Sequence, residues 1–406
     1  PGVAASISVD GNMIISGITT LGTTSFTADA TVNGVTVGKG ANSGSQNTAV
    51  GVNALDAITT GSPNSAFGYN ALTANTTGQY NTAIGRESLA ANTTASSNTG
   101  IGNYALGANT TGTYNTAVGA YPLDANTTGS YNTGLGGGAL GANTTADNNT
   151  AVGYNALLSN TTGTRNTAVG ALALDAISTA NDNSAFGYNA LGANTSGVDN
   201  NAFGANTLDA NTTGSRNNAF GFESLTANTT ASDNTAFGDK ALYANTTGAQ
   251  NTAVGSGALD ANTTASNNTA VGYQSLTTNS TGASNSALGR RTLRLNTTGN
   301  NNVAIGYQAL EANTTGYNNI AIGYNAMDAM QSGGYSVAIG SGALGAYTGS
   351  EQTACGSNAL AECTTGYDNT GFGVNALKQL AETESGIYNQ VGPFADKSTK
   401  GLIASA

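Results

Sequence analysis

Tyrosine and arginine side chains recur at one position of a repeating unit and have the chemistry of a carbohydrate-binding surface. Tyr273, Arg290, Tyr307 and Tyr324 follow one another at equal intervals of 17 residues, and Tyr317 lies in the same part of the chain. Aromatic faces bind sugar rings, and a guanidinium group stacks on them or pairs with acidic groups. These five residues are therefore predicted to form a glycan-contact patch. The alternative is a surface ladder whose side chains stabilise one another.

Carboxylates recur at a second position and are the main candidates for acid–base catalysis. Glycoside hydrolysis requires two carboxyl groups roughly 5–10 Å apart. We expect these acids to lie two or more turns from one another, about 10 Å or more along the axis, and therefore to be solvated surface acids. Histidine is absent, so neither a serine nor a cysteine nucleophile has an imidazole partner. The sequence predicts no enzyme and no cofactor, with polysaccharide cleavage as the minor alternative. The acids are Asp56, Asp124, Asp175, Asp209, Asp260, Glu311 and Asp328.

The two cysteines, Cys355 and Cys363, occupy positions that we expect to face inward. Free buried thiols are predicted, and an intrachain disulfide is the alternative. Two cysteines without histidine do not predict a metal site.

A 17-residue repeat positions all of these side chains. Its spelling is Asn-Thr-Ala-Val-Gly-x-x-Ala-Leu-x-Ala-Asn-Thr-Thr-Gly-x-x, and the glycine after the bulky apolar residue is numbered position 0. This glycine recurs every 17 residues from Gly51, Gly68 and Gly85 to Gly340, and the period then slips by one residue. A fixed period predicts a stacked array whose units contact mainly their neighbours.

The composition of the repeat favours strands over helices. Glycine at position 0 and usually at +10 would destabilise a helix, and the short Thr-Ala-Val-Gly run lies between turn-forming residues. Seventeen residues fit one coil of two short strands and two turns. The predicted fold is all-β: a parallel β-solenoid, or β-roll, of about twenty coils stacked about 4.8 Å apart in a rod of roughly 95–100 Å.

Adjacent apolar positions predict which side chains are inside. Position −1 is bulky and apolar, position −2 is only Ala or Gly, and neighbours on a strand face opposite ways. We expect position −1 to fill the coil and position −2 to face another sheet or chain. Position +4, as in Leu55 and Leu72, is also apolar and forms a structural ladder. Position 0 should be a corner with positive φ or a place where another backbone approaches closely.

Asparagine forms two further columns. Position +7 is Asn in fourteen turns, beginning with Asn75, Asn92 and Asn109, and is apolar elsewhere. Apolar replacements indicate an inward column, so we predict amide hydrogen bonds from coil to coil. Position −4 is Asn from Asn47 to Asn319 without a break and is expected to bond its own backbone at a turn.

One coil alone has little apolar surface to bury. Two large side chains contribute roughly 1.5–3 kcal/mol apiece, whereas ordering each residue costs about 1–2 kcal/mol. A core shared between copies would compensate, so we predict a parallel homotrimer. The predicted domains are an N-terminal β neck or docking segment at 1–46, a shaft at 47–378, and a cap or connector at 379–406.

Composition disfavours several classes of partner. The net charge is −11, which disfavours nucleic acid and anionic membrane surfaces. No apolar run is long enough to span a bilayer, so membrane insertion is not expected.

Two stretches resemble known fibrous proteins. The segment Val-Asn-Gly-Val-Thr-Val-Gly-Lys-Gly-Ala at 32–41, followed by Asn-Thr-Ala-Val-Gly at 47–51, is similar to phage and cyanophage fibre or appendage proteins. The units at 302–306 and 336–340 resemble the head repeats of trimeric autotransporter adhesins. Those heads are parallel β-rolls of three chains, which is the arrangement that the resemblance implies here.

Two departures from the adhesins bear on function. The unit is longer than the adhesin head repeat, and we expect no coiled-coil stalk or outer-membrane anchor after it. This favours a virion fibre, in tail or head, that projects from the virion surface and attaches to a host-cell glycan. The alternative is a bacterial surface adhesin or an extracellular filament subunit. In either case the segment at 1–46 is expected to join other virion or filament proteins.

Two side hypotheses concern the turns. The Asn-Thr-Thr units spell N-glycosylation acceptors, which would give the rod a sugar coat in a host that modifies them. Threonine rows at +8 and +9 are a candidate ice-binding face.

Overall fold

Nearly the whole repeat region is described by the computed structural model. The described residues are 5–7, 13–15, 29–32, 35–41, 46–378 and 389–391. All regular secondary structure in these ranges is β-strand, and residues 46–378 form a parallel β-solenoid of about 19 turns with about 17 residues per coil. The predicted fold class is therefore confirmed.

Each coil contributes one strand of three or four residues, and the rest of the coil consists of turns and bends. The prediction of two strands per coil is therefore wrong. The strands are β1 Ala5–Ile7, β2 Met13–Ile15, β3 Ala30–Val32, β4 Val35–Gly38, β5 Thr48–Gly51, β6 Asn64–Phe67, β7 Asn81–Ile84, β8 Thr99–Ile101, β9 Thr116–Val118, β10 Thr133–Leu135, β11 Thr150–Val152, β12 Thr167–Val169, β13 Ser184–Phe186, β14 Asn201–Phe203, β15 Asn218–Phe220, β16 Thr235–Phe237, β17 Thr252–Val254, β18 Thr269–Val271, β19 Ser286–Leu288, β20 Val303–Ile305, β21 Ile320–Ile322, β22 Val337–Ile339, β23 Thr353–Cys355, β24 Thr370–Phe372 and β25 Asn389–Val391.

The strands pair in sequence order. From β5 to β24 each strand pairs in parallel with the next, and equal repeat positions are opposite one another, as in Ala151 and Ala168. Strand β4 covers the first edge by antiparallel pairing with β5, and β25 pairs in parallel with β24. The first and the last coil of the solenoid are thus each covered by a further strand. Apart from β25, the predicted cap at 379–406 lies outside the described residues.

The glycine at position 0 is a corner at which neighbouring backbones touch. Gly51, Gly68 and Gly85 have φ of 151°, 140° and 127°, a region that side-chain-bearing residues rarely adopt. A Cβ on Gly68 would lie 2.4 Å from the carbonyl oxygen of Gly85 in the next coil. Both parts of the prediction for this column are confirmed.

The assignment of inside and outside at the strand is the reverse of the prediction. Ala49 and Ala66 at position −2 are completely buried, whereas Phe67 and Ile84 at position −1 are 40% and 41% exposed. Alternation along the strand puts positions −4 and −2 on one face, and the buried asparagine at −4 shows that this face is the interior. The interior is already filled by one leucine and two asparagines per coil, so it admits only a methyl group at −2.

The leucine column is buried as predicted, but its backbone was not anticipated. Leu55 and Leu72 have no exposed surface, and both have φ of 52°. A left-handed leucine is uncommon and costs roughly 1–2 kcal/mol. The conformation turns the side chain into the core while its N–H donates to the next coil, to Ala71 O from Leu55 and to Ser88 O from Leu72, each at 3.1 Å.

The asparagines at +7 form the predicted internal ladder. Asn92 Nδ2 donates to Asn75 Oδ1 at 3.0 Å, and Asn109 Nδ2 donates to Asn92 Oδ1 at 3.1 Å. Each amide also donates to the carbonyl three residues on, as Asn92 does to Ala95 at 3.0 Å. All three side chains are completely buried, so every polar group in the ladder needs these partners.

The asparagines at −4 form a second internal ladder, in place of the expected local turn bonds. Asn47 Oδ1 accepts from the backbone N–H of Asn64 in the next coil at 2.8 Å. Asn47 Nδ2 crosses the interior of its own coil and donates to Gly61 O at 2.9 Å. The column thus ties together two sides of one coil and two successive coils.

Two neighbouring glycines provide a matched test of the corner. Gly136→Ala should lower the free energy of unfolding by roughly 2–4 kcal/mol, because φ is 135° and the new Cβ would lie 2.4 Å from Gly153 O. Gly137→Ala should be within about 1 kcal/mol of the parent, because its nearest contact is Tyr154 Cδ2 at 3.6 Å. Thermal unfolding of both variants measures the difference, and equal stability would contradict the corner assignment.

The asparagine ladder predicts a large cost for a small truncation. Asn126→Ala removes bonds to Asn109 Oδ1 and Gly129 O and leaves the Asn143 amide short of an acceptor, so we expect a loss of about 2–4 kcal/mol. The reciprocal variant is Ile177→Asn. Its side-chain amide would supply the donor that Asn160 Oδ1 lacks, so the variant should be tolerated. Hydrogen exchange of the flanking amides is the measurement. A tolerated Asn126→Ala would show that the ladder adds no stability.

Candidate functional site

The predicted glycan residues form a stack on the outside of the rod. Arg290 lies between two rings, with its guanidinium carbon 5.8 Å from the centroid of Tyr273 and 5.6 Å from that of Tyr307. Tyr307 stacks on Tyr324 with centroids 5.4 Å apart and planes 9° apart. The parallel register places these position +1 side chains one above another. The structure therefore brings four of the five predicted residues together.

The fifth residue, Tyr317, belongs to another part of the coil. It stands ten positions after Tyr307, and its ring meets Tyr335 edge to face at 5.3 Å and 83°. The predicted patch is thus two aromatic groups rather than one.

The stack leaves few ring faces free for a sugar. Each face inside it is covered by the next side chain, and cation–π and stacking contacts of this kind contribute to stability on their own. The next member of the column beyond Tyr324 is Ser341, whose side chain is too short to cover a ring. Tyr324 is also 56% exposed. Its outer face is the best remaining surface for a pyranose ring.

Similar stacks occur elsewhere on the rod. Arg86 lies 5.3 Å from the ring of Tyr104, which stacks on Tyr121 at 5.5 Å. Tyr114 and Tyr131 stack at 5.2 Å. Recurrence wherever the sequence places aromatic residues one coil apart favours a structural contribution for most of these ladders.

One pair of acids contradicts the expected spacing. Glu311 and Asp328 occupy position +5 of successive coils, so they are one turn apart rather than two or more. Glu311 Oε1 accepts from Arg294 Nε at 2.6 Å, and Oε2 accepts from the Gln308 amide. Both oxygens of the Glu311 carboxylate thus accept hydrogen bonds from neighbouring side chains, which is typical of a surface ion-pair network.

Several aspartates at +5 are partly buried against the rod. Burial raises the pKa of each of these carboxyl groups above its usual range, and in Asp328 the charge of Glu311 adds to the effect. Ionisation of these carboxyl groups is therefore less favourable than it is in water. The group consists of Asp124, Asp175, Asp209, Asp260 and Asp328.

The cysteines differ from one another. Both thiols are free, and Cys363 is completely buried, which raises the pKa of its thiol. Cys355 occupies position −1 and is partly exposed, so the prediction that it faces inward is wrong. The cause is the reversal of the two strand faces.

The Asn-Thr-Thr units are structural in the folded chain. Their asparagines are the buried +7 ladder, so their amides are inaccessible to a glycosyl donor once the rod has formed. The +8 threonines also turn their hydroxyls to the next coil, as Thr110 Oγ1 does to Thr127 O at 2.9 Å. The +9 threonines are exposed.

Sequence reasoning missed a partly exposed aromatic ladder at position −1. Phe186, Phe203 and Phe220 stack with successive centroid distances of 4.6 Å, and Phe237 follows at 5.3 Å. These rings were expected in the core. The sequence shows that this column is uncharged, but it does not show that its side chains point outward.

Comparisons with family models, with curated proteins and with solved structures found no match for this chain. Within the described ranges, no helix has the length and hydropathy needed to cross a bilayer. Nor do the described residues bring three or more cysteine or carboxylate side chains together as a metal site.

Two carboxylates of the same coil predict opposite responses to pH. Asp175→Asn should raise stability at pH 7 by up to about 1 kcal/mol, because burial, with help from Asp209, holds the pKa of Asp175 above its ordinary value of 3.8. The gain should vanish below the ordinary pKa of 3.8, where the carboxyl of the parent is neutral in both the folded and the unfolded state. Asp182 is the control: Arg165 lowers its pKa, so Asp182→Asn should cost slightly at pH 7 and nothing near pH 2. Unfolding midpoints at the two pH values decide between these signs.

Proposed function

We propose that this chain is the shaft of a virion fibre, a parallel homotrimer that projects from the particle for host-surface attachment. The observation that carries the proposal is the continuous parallel register from β5 to β24, in which every coil bonds to the next through the backbone and most coils also do so through asparagine side chains. Such a body resists bending and holds one end at a fixed distance from the other. A spacer is the function that this geometry supports best.

The ends of the sheet favour a fibre over a self-stacking filament. Strand β4 runs antiparallel on β5 and occupies the edge to which another copy would add a coil. End-to-end growth through that edge would require β4 to be displaced. The segment at 1–46 is proposed to dock the fibre to other virion proteins.

Attachment through carbohydrate is proposed at the outer face of Tyr324. The rings and guanidinium beneath it fix its orientation, which lowers the entropy lost when a sugar stacks on it. The negative charge of the chain is suited to neutral or cationic surface glycans rather than to strongly anionic ones.

Electron microscopy with an antibody against the purified chain tests the location. We expect label along projections from virus particles and rods of roughly 90–100 Å in the purified sample. Label on cells that carry no particles would overturn the virion assignment in favour of a surface adhesin. Label along continuous filaments would favour a filament subunit.

A pair of tyrosine variants tests the glycan contact. The purified rod should compete with particles for adsorption to host cells, and Tyr324→Ser should weaken this competition roughly 3- to 10-fold through loss of one stacking surface. Tyr154→Ser is the matched control, because Tyr154 is exposed in the same column but has Gly137 and Ala171 as column neighbours. Equal competition by parent and Tyr324→Ser would remove the glycan site and leave the shaft proposal standing.

A further inference from the structure

The outward face of the strand row carries no charge anywhere along the rod. Positions −3 and −1 both point outward from each strand from β5 to β24, and every side chain in them is polar but uncharged, or apolar. Every residue at position −1 keeps part of its surface exposed, and Phe237, Leu288 and Phe372 are half exposed. We call these two columns the strand face. The residues at −1 are Val50, Phe67, Ile84, Ile101, Val118, Leu135, Val152, Val169, Phe186, Phe203, Phe220, Phe237, Val254, Val271, Leu288, Ile305, Ile322, Ile339, Cys355 and Phe372.

Other outward positions of the same coils do accept charge. Position +1 contains Arg86, Asp239 and Arg290, and position +12 contains Arg165 and Asp182, all solvent-exposed. The interior of the coil imposes nothing on position −1, because the side chain points away from it. The side chains of this column are large and apolar, and their own chain does not bury them. Such a surface indicates a contact with another molecule.

We propose that the strand face is the surface through which copies of this chain pack side by side, parallel and in register. The inference rests on the proposed fibre for the presence of several copies, and it replaces the alanine column as their contact. It does not depend on where the fibre is mounted.

The repeat spacing selects a second copy as the occupant. A partner must present complementary side chains about every 4.8 Å over roughly 90 Å, and this chain has that period. Two columns about 10 Å wide over this length offer roughly 900 Å² per copy, compared with about 800 Å² per partner in a typical stable interface. The face is thus large enough to hold copies together without help from the ends.

Charge pairs flank the strand face as a polar rim. Arg165 and Asp182 bond through two contacts of 2.6 and 2.8 Å, and Arg216 and Asp233 through two of 2.7 and 3.0 Å, all exposed at +12. An apolar centre with a polar border is typical of protein interfaces.

The distribution of branched residues favours parallel copies. Val303, Ile320 and Val337 make position −3 apolar in three successive coils near the C-terminal end of the rod. Parallel copies bring these coils against their own equivalents. Antiparallel copies would put them opposite the coils of β7 to β9, where position −3 is threonine. Apolar side chains are buried against one another only in the parallel arrangement.

Charge insertion tests the strand face. Native mass measurement of the full chain should give an oligomer, and the double variant Phe203→Lys, Phe220→Lys should weaken association at least about 100-fold by burying unpaired ammonium groups. Phe222→Lys is the matched control, because Phe222 is exposed at position +1 beside the face and should leave the oligomer intact. A secondary-structure spectrum equal to that of the parent shows that the variant chains are folded.

Disulfide trapping tests direction and register. With Cys355→Ser as background, Val152→Cys and Val271→Cys should each form intermolecular disulfides with the identical residue of another copy under mild oxidation. Thr162→Cys, exposed at +9, should not. Cross-links only between co-expressed Val152→Cys and Val271→Cys chains would overturn the parallel arrangement.

The outcomes separate the inference from the fibre. A parent protein that is a single chain in solution overturns both the strand-face contact and the homotrimer. If the double lysine variant still forms the oligomer and the cysteine variants at position −1 form no disulfides, the strand-face contact alone is overturned. Antibody label on particles bears on the virion location and is independent of either result.

Discussion

Hydrogen bonding between equal positions of successive coils is the constraint on which the rest of the structure depends. Once Ala151 is opposite Ala168, every other column is in register, and each side chain has its own kind above and below it. Stacking like on like is favourable for amides and aromatic rings, and unfavourable for charges. The interior therefore uses asparagine rather than acid or base.

A narrow interior follows from the short coil. Turns with positive φ at the leucine of position +4 and at position 0 close the backbone within 17 residues and leave room for one leucine, a few methyl groups and two amides. Polar bonds thus have an unusual share in holding the core together. The larger apolar side chains are placed outside, where a neighbour of the same period would cover them.

Four features could be predicted from the sequence, because each is a pattern of residue types at fixed spacing. They are the period, the position of the strand, the corner at Gly68 and the buried ladder that includes Asn92. The direction of position −1 could not, since alternation gives two faces without saying which is inside. The second ladder at Asn47 held that information, because a column of buried amides at −4 fixes −2 as inward. The positive φ of Leu55 had no signal in residue type. The Tyr273 to Tyr324 stack was predicted as a group, and its own side chains cover most of its ring faces.

The asparagine ladder at +7 is interrupted where Ile177 replaces the amide and ends where Met330 replaces it, and Asn160 and Asn313 each keep a buried oxygen without a donor. The rod is therefore divided into blocks of unequal cohesion. Under tension along the axis of the proposed fibre, the rod would separate first at these two places. The coils between them would remain folded, so the rod would extend in steps and would not break at its base.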